Sequence, residues 1–198
     1  MGLCARRRRD VWVGAYGFIK HFKHAQNAKD GLLAERVTGM QLNRLAAEGC
    51  LVLHDLPAES FNIDHIVIGP RAVYAVETKS FRRPRGQGDT AVHRVTFDGK
   101  ALRFADFVNT AAVEQAARQA QWLKRKLQES LGMDIPVVPA LALPGWYIDK
   151  TEAGKTSEVV VFTPMGKGAD FLARGQEKLA PEQRRMIAQA LAVRYPAL

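Results

Sequence analysis

Asp64, Glu77 and Lys79 are the side chains whose types and spacing support chemistry. They flank the turn sequence Gly69-Pro70-Arg71, which separates two apolar runs, Ile63 to Ile68 and Ala72 to Lys79. With the loop symmetric about Pro70 and Arg71, Gly69 faces Ala72 and every further pair sums to 141. Ile68 then meets Val73, Ile66 meets Ala75, and Asp64 meets Glu77. Directly opposed side chains on paired strands have Cβ atoms about 5 Å apart, and like charges placed so destabilise the pair unless a positive charge intervenes. A divalent cation meets that need. Strand side chains alternate, so Lys79 projects from the face that carries Glu77. Ile66, Ile68, Val73 and Ala75 share that face, whereas Tyr74, Val76 and Thr78 occupy the other. Strands apolar on both faces belong inside a sheet, where a charge is costly unless partnered or working. A same-face Glu77–Lys79 ion pair with Asp64 capping its strand is the plainer arrangement. The position of Asp64 opposite Glu77 favours a site.

The elements that must hold these residues follow from periodicity. Leu32, Leu33, Val37, Leu42 and Leu45 fall at helical spacing between Gly31 and Glu48, and Gly49 provides a stop. Leu51 to Leu53 reads as a short strand ending near Pro57. After a loop rich in Pro, Arg and Gly from Arg82 to Gly88, Val92 to Phe97 and Ala101 to Phe104 flank Asp98-Gly99 in a hairpin pattern. Ala111 to Leu131 predicts a long helix, with Val113, Ala116, Ala120, Leu123 and Leu127 along its inner side and Lys124, Arg125 and Lys126 toward its C-terminus. Pro136 to Leu143 and Val159 to Phe162 read as core strands, Gly145 to Ser157 as a long surface loop, and Glu182 to Arg194 as a final helix. This order predicts an α/β domain in which a mixed central β-sheet is flanked by helices.

Length and composition bound the partners. The 198 residues suffice for one sizeable core, which we place at residues 29–198 behind a basic N-terminal arm, residues 1–28. The chain carries 29 Lys and Arg against 20 Asp and Glu, a formal charge of +9 that suits a polyanion, with nucleic acid the first candidate and a merely basic solvated surface the other. Cys4 and Cys50, far apart and differently placed, are not expected to build a disulfide framework or a four-ligand zinc site and point to a reducing, cytoplasmic setting. The arm contains Arg6 to Arg9 followed by a short apolar stretch broken by Gly14 and Gly17. It lacks a signal-peptide pattern and is too short to span a bilayer, but it suits contact with nucleic acid phosphates or an anionic membrane surface, or a disordered leader.

The run Asn62-Ile63-Asp64-His65-Ile66-Val67-Ile68-Gly69-Pro70, followed by Val73-Tyr74-Ala75-Val76-Glu77-Thr78-Lys79, resembles the nuclease-related domain, a branch of the restriction-endonuclease-like superfamily. The resemblance extends from about Gly31 to Phe162, with Glu35 in an opening helix and Gln115 near the start of the long helix. Departures are Ala34 where a glycine is usual before Glu35, Thr110 where Asn-Pro is common, and a more basic loop from Ser80 to Asp89. None removes an acid or the lysine. The resemblance implies a restriction-endonuclease-like core and a Mg2+-dependent phosphodiesterase, with Mn2+ as substitute, acting on DNA more readily than RNA. It implies Asp64, Glu77 and the Thr78 carbonyl as metal ligands, Lys79 as the group serving the water or the developing charge, and Glu35 as an outer acid. Gln115 would position water or a phosphate oxygen, or simply open a helix.

Arg82, Arg83 and Arg85 directly follow the lysine strand and are expected to contact a nucleic acid backbone, the alternative being a solvated loop. Three further signals are set aside. Gly154-Lys155-Thr156 has Asp149 where a phosphate-binding loop needs glycine. His21 and His24 have no third ligand nearby, and His65 projects away from Asp64 as a packed core residue. The competing functional readings are a binding module of the same fold that does not turn over substrate, and a membrane-associated interaction protein using the N-terminal arm.

Overall fold

The turn at Gly69-Pro70-Arg71 forms as the symmetric loop requires. In a computed structural model, which describes residues 28–82 and 93–195, the Gly69 N–H donates to the Ala72 carbonyl at 3.0 Å. Strand β2 (Asn62–Ile68) and strand β3 (Val73–Thr78) pair antiparallel through Ile68–Val73, Val67–Tyr74, Ile66–Ala75 and His65–Val76. Each pair sums to 141, so the register read from the turn is the register observed.

The chain divides into two units between Leu33 and Ala34. Of the first, only residues 28–33 are described, so the arginine cluster and His21 and His24 of the expected arm lie outside the described residues. The second unit begins within helix α1, which runs through residues 28–43, and continues in a 3-10 turn, Arg44–Glu48. Gly49 ends it at φ 81°, a left-handed conformation that glycine adopts without steric cost.

Five strands form the main sheet in the order β1-β2-β3-β7-β9. Strand β1 (Leu51–Pro57) joins β2 antiparallel, whereas β7 (Val137–Ala142) and β9 (Val160–Phe162) extend the sheet beyond β3 in parallel. The sheet is therefore mixed, as expected. The six residues of β3 are all buried because helices cover both faces. Ile66, Ile68, Val73 and Ala75 pack against Ala120, Leu123 and Leu127 of helix α2 (Ala111–Leu131) and Ile187 and Leu191 of helix α4 (Pro181–Arg194). Val67, Tyr74 and Val76 face Leu42, Leu45 and Leu172 on the other side. This two-sided cover explains the nearly continuous apolar run of β3.

A second sheet, β6-β5-β4-β8, was not anticipated. The hairpin around Asp98-Gly99 is present as β4 (Arg94–Phe97) and β5 (Leu102–Arg103), and β6 (Val108–Asn109) adds to it. The segment from Gly145 to Ser157, expected as a surface loop, instead supplies β8 (Tyr147–Lys150), parallel to β4, and a one-turn helix α3 (Glu152–Lys155). Its polarity misled because Tyr147 is exposed while Phe97 and Trp146 carry the packing. None of the four residues of β8 is fully buried, so the strand offers no apolar run or buried apolar face to read. Gly154, set aside as a phosphate loop, lies against the Phe97 carbonyl, where a Cβ would come within 2.3 Å of the oxygen.

The Gly69 turn is held from the C-terminal side. The Pro70 carbonyl accepts from the Lys178 and Leu179 N–H groups, both at 2.8 Å, and a Cβ on Gly69 would stand 2.3 Å from the Leu172 carbonyl oxygen. That neighbour is backbone and cannot rotate away. Gly69→Ala is therefore expected to lower stability by about 1–3 kcal/mol in urea denaturation. A midpoint unchanged from wild type would show that the turn is not clamped as described.

Candidate functional site

The site lies where β2 and β3 emerge from the hairpin ladder. The backbone pairs stop at His65–Val76, and beyond them the Thr78 N–H donates to Asp64 Oδ2 at 2.7 Å. Asp64 is thus tied by its side chain to the neighbouring strand at the level of Glu77. Glu77 is 3% exposed and meets three donors: Lys79 Nζ at 2.5 Å and Gln115 Nε2 at 2.8 Å from Oε1, and Gln119 Nε2 at 2.6 Å from Oε2. The Lys79 side chain retains 32% exposure, so its ammonium stands at the boundary between the buried carboxylate and solvent.

Electrostatics join the acids into one group. Burial raises the Asp64 carboxyl, and the charge of Glu77 raises it further, to about 7; the Thr78 N–H and Lys79 oppose the rise, and Glu35 adds to it. Glu35, half-buried on α1, is raised by burial, then by Asp55 and Glu77, with Lys79 opposing. Asp55 itself adopts φ 54° within β1 and stands at the register position opposite Asp64, since both 55 + 64 and the observed pair His54–His65 sum to 119.

Of the residues singled out from sequence, Asp64, Glu77, Thr78, Lys79, Glu35 and Gln115 are brought together. Gln115 contacts Glu77, an arrangement the helix-start alternative does not require. Arg82 is exposed three residues beyond Lys79, while Arg83 and Arg85 lie outside the described residues. His65 is buried, with its Nδ1 at 2.8 Å from His54 Nδ1, and His54 Nε2 in turn lies 3.0 Å from Asn43 Oδ1. Burial, then the His54 ring, pushes the His65 imidazole down to about 4. It is the packed core residue expected.

Gln119 was missed. It sits four residues after Gln115 on the same helix face, and its place beside the apolar stripe of Ala116, Ala120 and Leu123 was the available signal. A polar side chain on a buried stripe needs a partner, and Glu77 provides one.

The donor set fits a hard divalent cation. Asp64 and Glu77 offer carboxylate oxygens; burial first and then repulsion from Glu77 raise Asp64, and a cation would offset both by compensating the buried charge. Among the described residues, no group of three or more His, Cys, Asp or Glu side chains is gathered closely enough to hold a metal ion. Ligation would therefore rest on this pair, with a backbone oxygen such as that of Thr78 and water completing it.

The family model described as nuclease-related domain matches residues 30–144, more than half of the chain. The chain belongs to the nuclease-related domain family. The matched segment contains every residue of the cluster, from Glu35 to Gln119, and ends just past β7. No curated protein matches the chain, and no solved structure does. Among the described residues, no helix is long and apolar enough to cross a membrane.

The two displaced groups have opposite signatures in stability. An imidazole held neutral in the fold contributes stability that is complete above about 6.5 and is lost as pH falls toward 4. A carboxyl that keeps its proton in the fold to about 7 contributes stability that is complete below 3.8 and is lost as pH rises through 7. In the metal-free protein the two slopes oppose each other over the shared window, each at most about 1.4 kcal/mol per pH unit. Urea denaturation across that window is expected to show Asp64→Asn gaining stability with pH more steeply than wild type. His65→Asn should gain it less steeply. Variant profiles parallel to wild type would contradict the assigned burial of both groups.

Proposed function

We propose that this nuclease-related domain hydrolyses phosphodiester bonds in a divalent-cation-dependent reaction, with DNA as the preferred substrate. The observation that carries the reading is the convergence of Asp64, Glu77 and a partly exposed Lys79 at one end of two buried strands. Burying two carboxylates side by side costs stability, and a structural pair needs only one of them.

Asp64 and Glu77 would hold Mg2+, or Mn2+ in its place, together with the Thr78 carbonyl. When bound, such an ion supplies Lewis-acid polarisation of the phosphate and neutralises charge that develops during displacement. Lys79 is the residue that meets the substrate. Its ammonium already sits against Glu77 Oε1 at the solvent boundary, so a phosphate oxygen can take the place of part of that contact. There it stabilises the negative charge of the transition state through a preorganised donor. Gln115 holds the other side of the same Glu77 oxygen and fixes its orientation. Glu35 adds negative charge around Asp64, which keeps the pair in need of a cation.

Nucleic acid as substrate is supported by the family and by the net charge of +9. The exposed Arg82, with Arg83 and Arg85 after it, would track the backbone on the side where the lysine strand ends.

The test is plasmid cleavage by the full chain. Wild type is expected to nick or linearise plasmid in Mg2+ or Mn2+ and to be silent in chelator. Lys79→Ala should lower the rate about 100- to 1000-fold, and Asp64→Ala should abolish it. Cleavage that survives chelation, or that both variants retain, would defeat the proposal. Salt-sensitive DNA binding with no metal-dependent cutting would leave a binding module of the same fold.

A further inference from the structure

Gln119 does more than meet Glu77. Its Nε2 also donates to the backbone carbonyl of Asn62, at 3.0 Å, while its bond to Glu77 Oε2 is 2.6 Å. Asn62 opens strand β2 two residues before Asp64, and Glu77 lies on β3. One amide nitrogen therefore bridges the two strands that carry the two acids. Both partners accept hydrogen bonds, so the nitrogen end of the amide must face them.

The other end of the side chain is unsatisfied. Gln119 is 1% exposed, and among the described residues its Oε1 has no hydrogen-bond partner. An orphaned buried carbonyl works against stability. The surrounding stripe of α2 is apolar, and an unbranched apolar side chain would fill the position without that cost. A glutamine at this position is explained by what its nitrogen does.

We infer that Gln119 is a positioning residue for the cation site, fixing the separation of the Asp64 and Glu77 strands and the orientation of the Glu77 carboxylate through its two donated hydrogen bonds. The inference rests on the proposed cation dependence. Gln115 and Lys79 both address Oε1, and Gln119 is the donor on Oε2. Removing it leaves Glu77 held at Oε1 alone, takes the Gln119 donor from Oε2 and severs the side-chain tie to the backbone of β2. Donors that orient a ligating carboxylate typically carry 10- to 100-fold in metal affinity.

The experiment measures Mn2+ affinity of the full chain by calorimetry or by the paramagnetic signal of free Mn2+, with thermal stability recorded in parallel. Gln119→Met keeps length and loses both donors, and Gln119→Asn keeps the amide but draws it back by one methylene. Leu127→Ala removes a buried side chain farther along α2, away from Glu77, and serves as the control for lost stability alone. Both Gln119 variants are expected to bind Mn2+ about 10- to 100-fold more weakly than wild type, whereas Leu127→Ala binds with unchanged affinity despite a lower Tm. Gln119 variants within about twofold of a wild type that binds through Asp64 would overturn the inference and leave the cation site standing. Equal weakening in Leu127→Ala would assign the effect to stability and overturn it too. A wild type that takes up no Mn2+ would bring down the cation site and the inference with it.

Discussion

Repulsion between two carboxylates in a poorly solvated place governs the arrangement around it. Asp64 and Glu77 stand on adjacent strands at the same level, and neither can retreat to bulk water, because Glu77 is almost wholly buried and Asp64 is tied through Oδ2 to the Thr78 N–H. The protein offsets the charge on Glu77 with three donors and leaves Asp64 to rise to about 7. A fold that sought stability alone would replace such a pair with apolar residues. The presence of this pair is the physical ground for the cation proposed here.

The scaffold serves that pair at several removes. Gly69 permits the turn to lie under the Leu172 carbonyl, the turn fixes the β2–β3 register, and the register sets Asp64 level with Glu77. Helix α2 packs Ala120, Leu123 and Leu127 on the same sheet face, and that packing delivers Gln115 and Gln119 to the carboxylate. The parallel addition of β7 buries the far edge of β3, and the Lys79 N–H donates to the Ala142 carbonyl at 3.0 Å, which steadies the backbone from which the ammonium projects. The opposite face is closed by Leu42, Leu45 and Tyr74, with the His54–His65 contact among the buried polar groups there.

Much of this was legible because two rules are nearly geometric. A short turn dictates pairing arithmetic, and strand alternation dictates faces, so the register, the shared face of Glu77 and Lys79, and the placement of His65 on the face opposite Asp64 could be read from residue order alone. Helix α2 was equally plain, since its apolar stripe, first and last residues all agree with the expected Ala111 to Leu131. What escaped depends on contacts between segments distant in sequence. The second sheet is built from strands of two to four residues, too short for a period to emerge, and β8 is recruited from a polar segment by pairing with β4. Gln119 escaped because its partners lie more than forty positions away or in the backbone, and Asp55 because a left-handed residue inside a strand has no signature in the type of residue alone. The basic loop at Arg83 and Arg85 lies outside the described residues.

Under the proposed function, a bound cation displaces the proton that Asp64 keeps to about 7. Calorimetric titration with Mg2+ or Mn2+ in buffers of different ionisation enthalpy measures that displacement directly, since a ligating carboxylate must be deprotonated. With Asp64 raised to about 7, roughly one proton should leave per ion bound near pH 6, falling toward none well above pH 8. Binding that releases no proton at the lower pH, or releases the same number at both, would contradict the pairing of Asp64 with Glu77 as the seat of the ion.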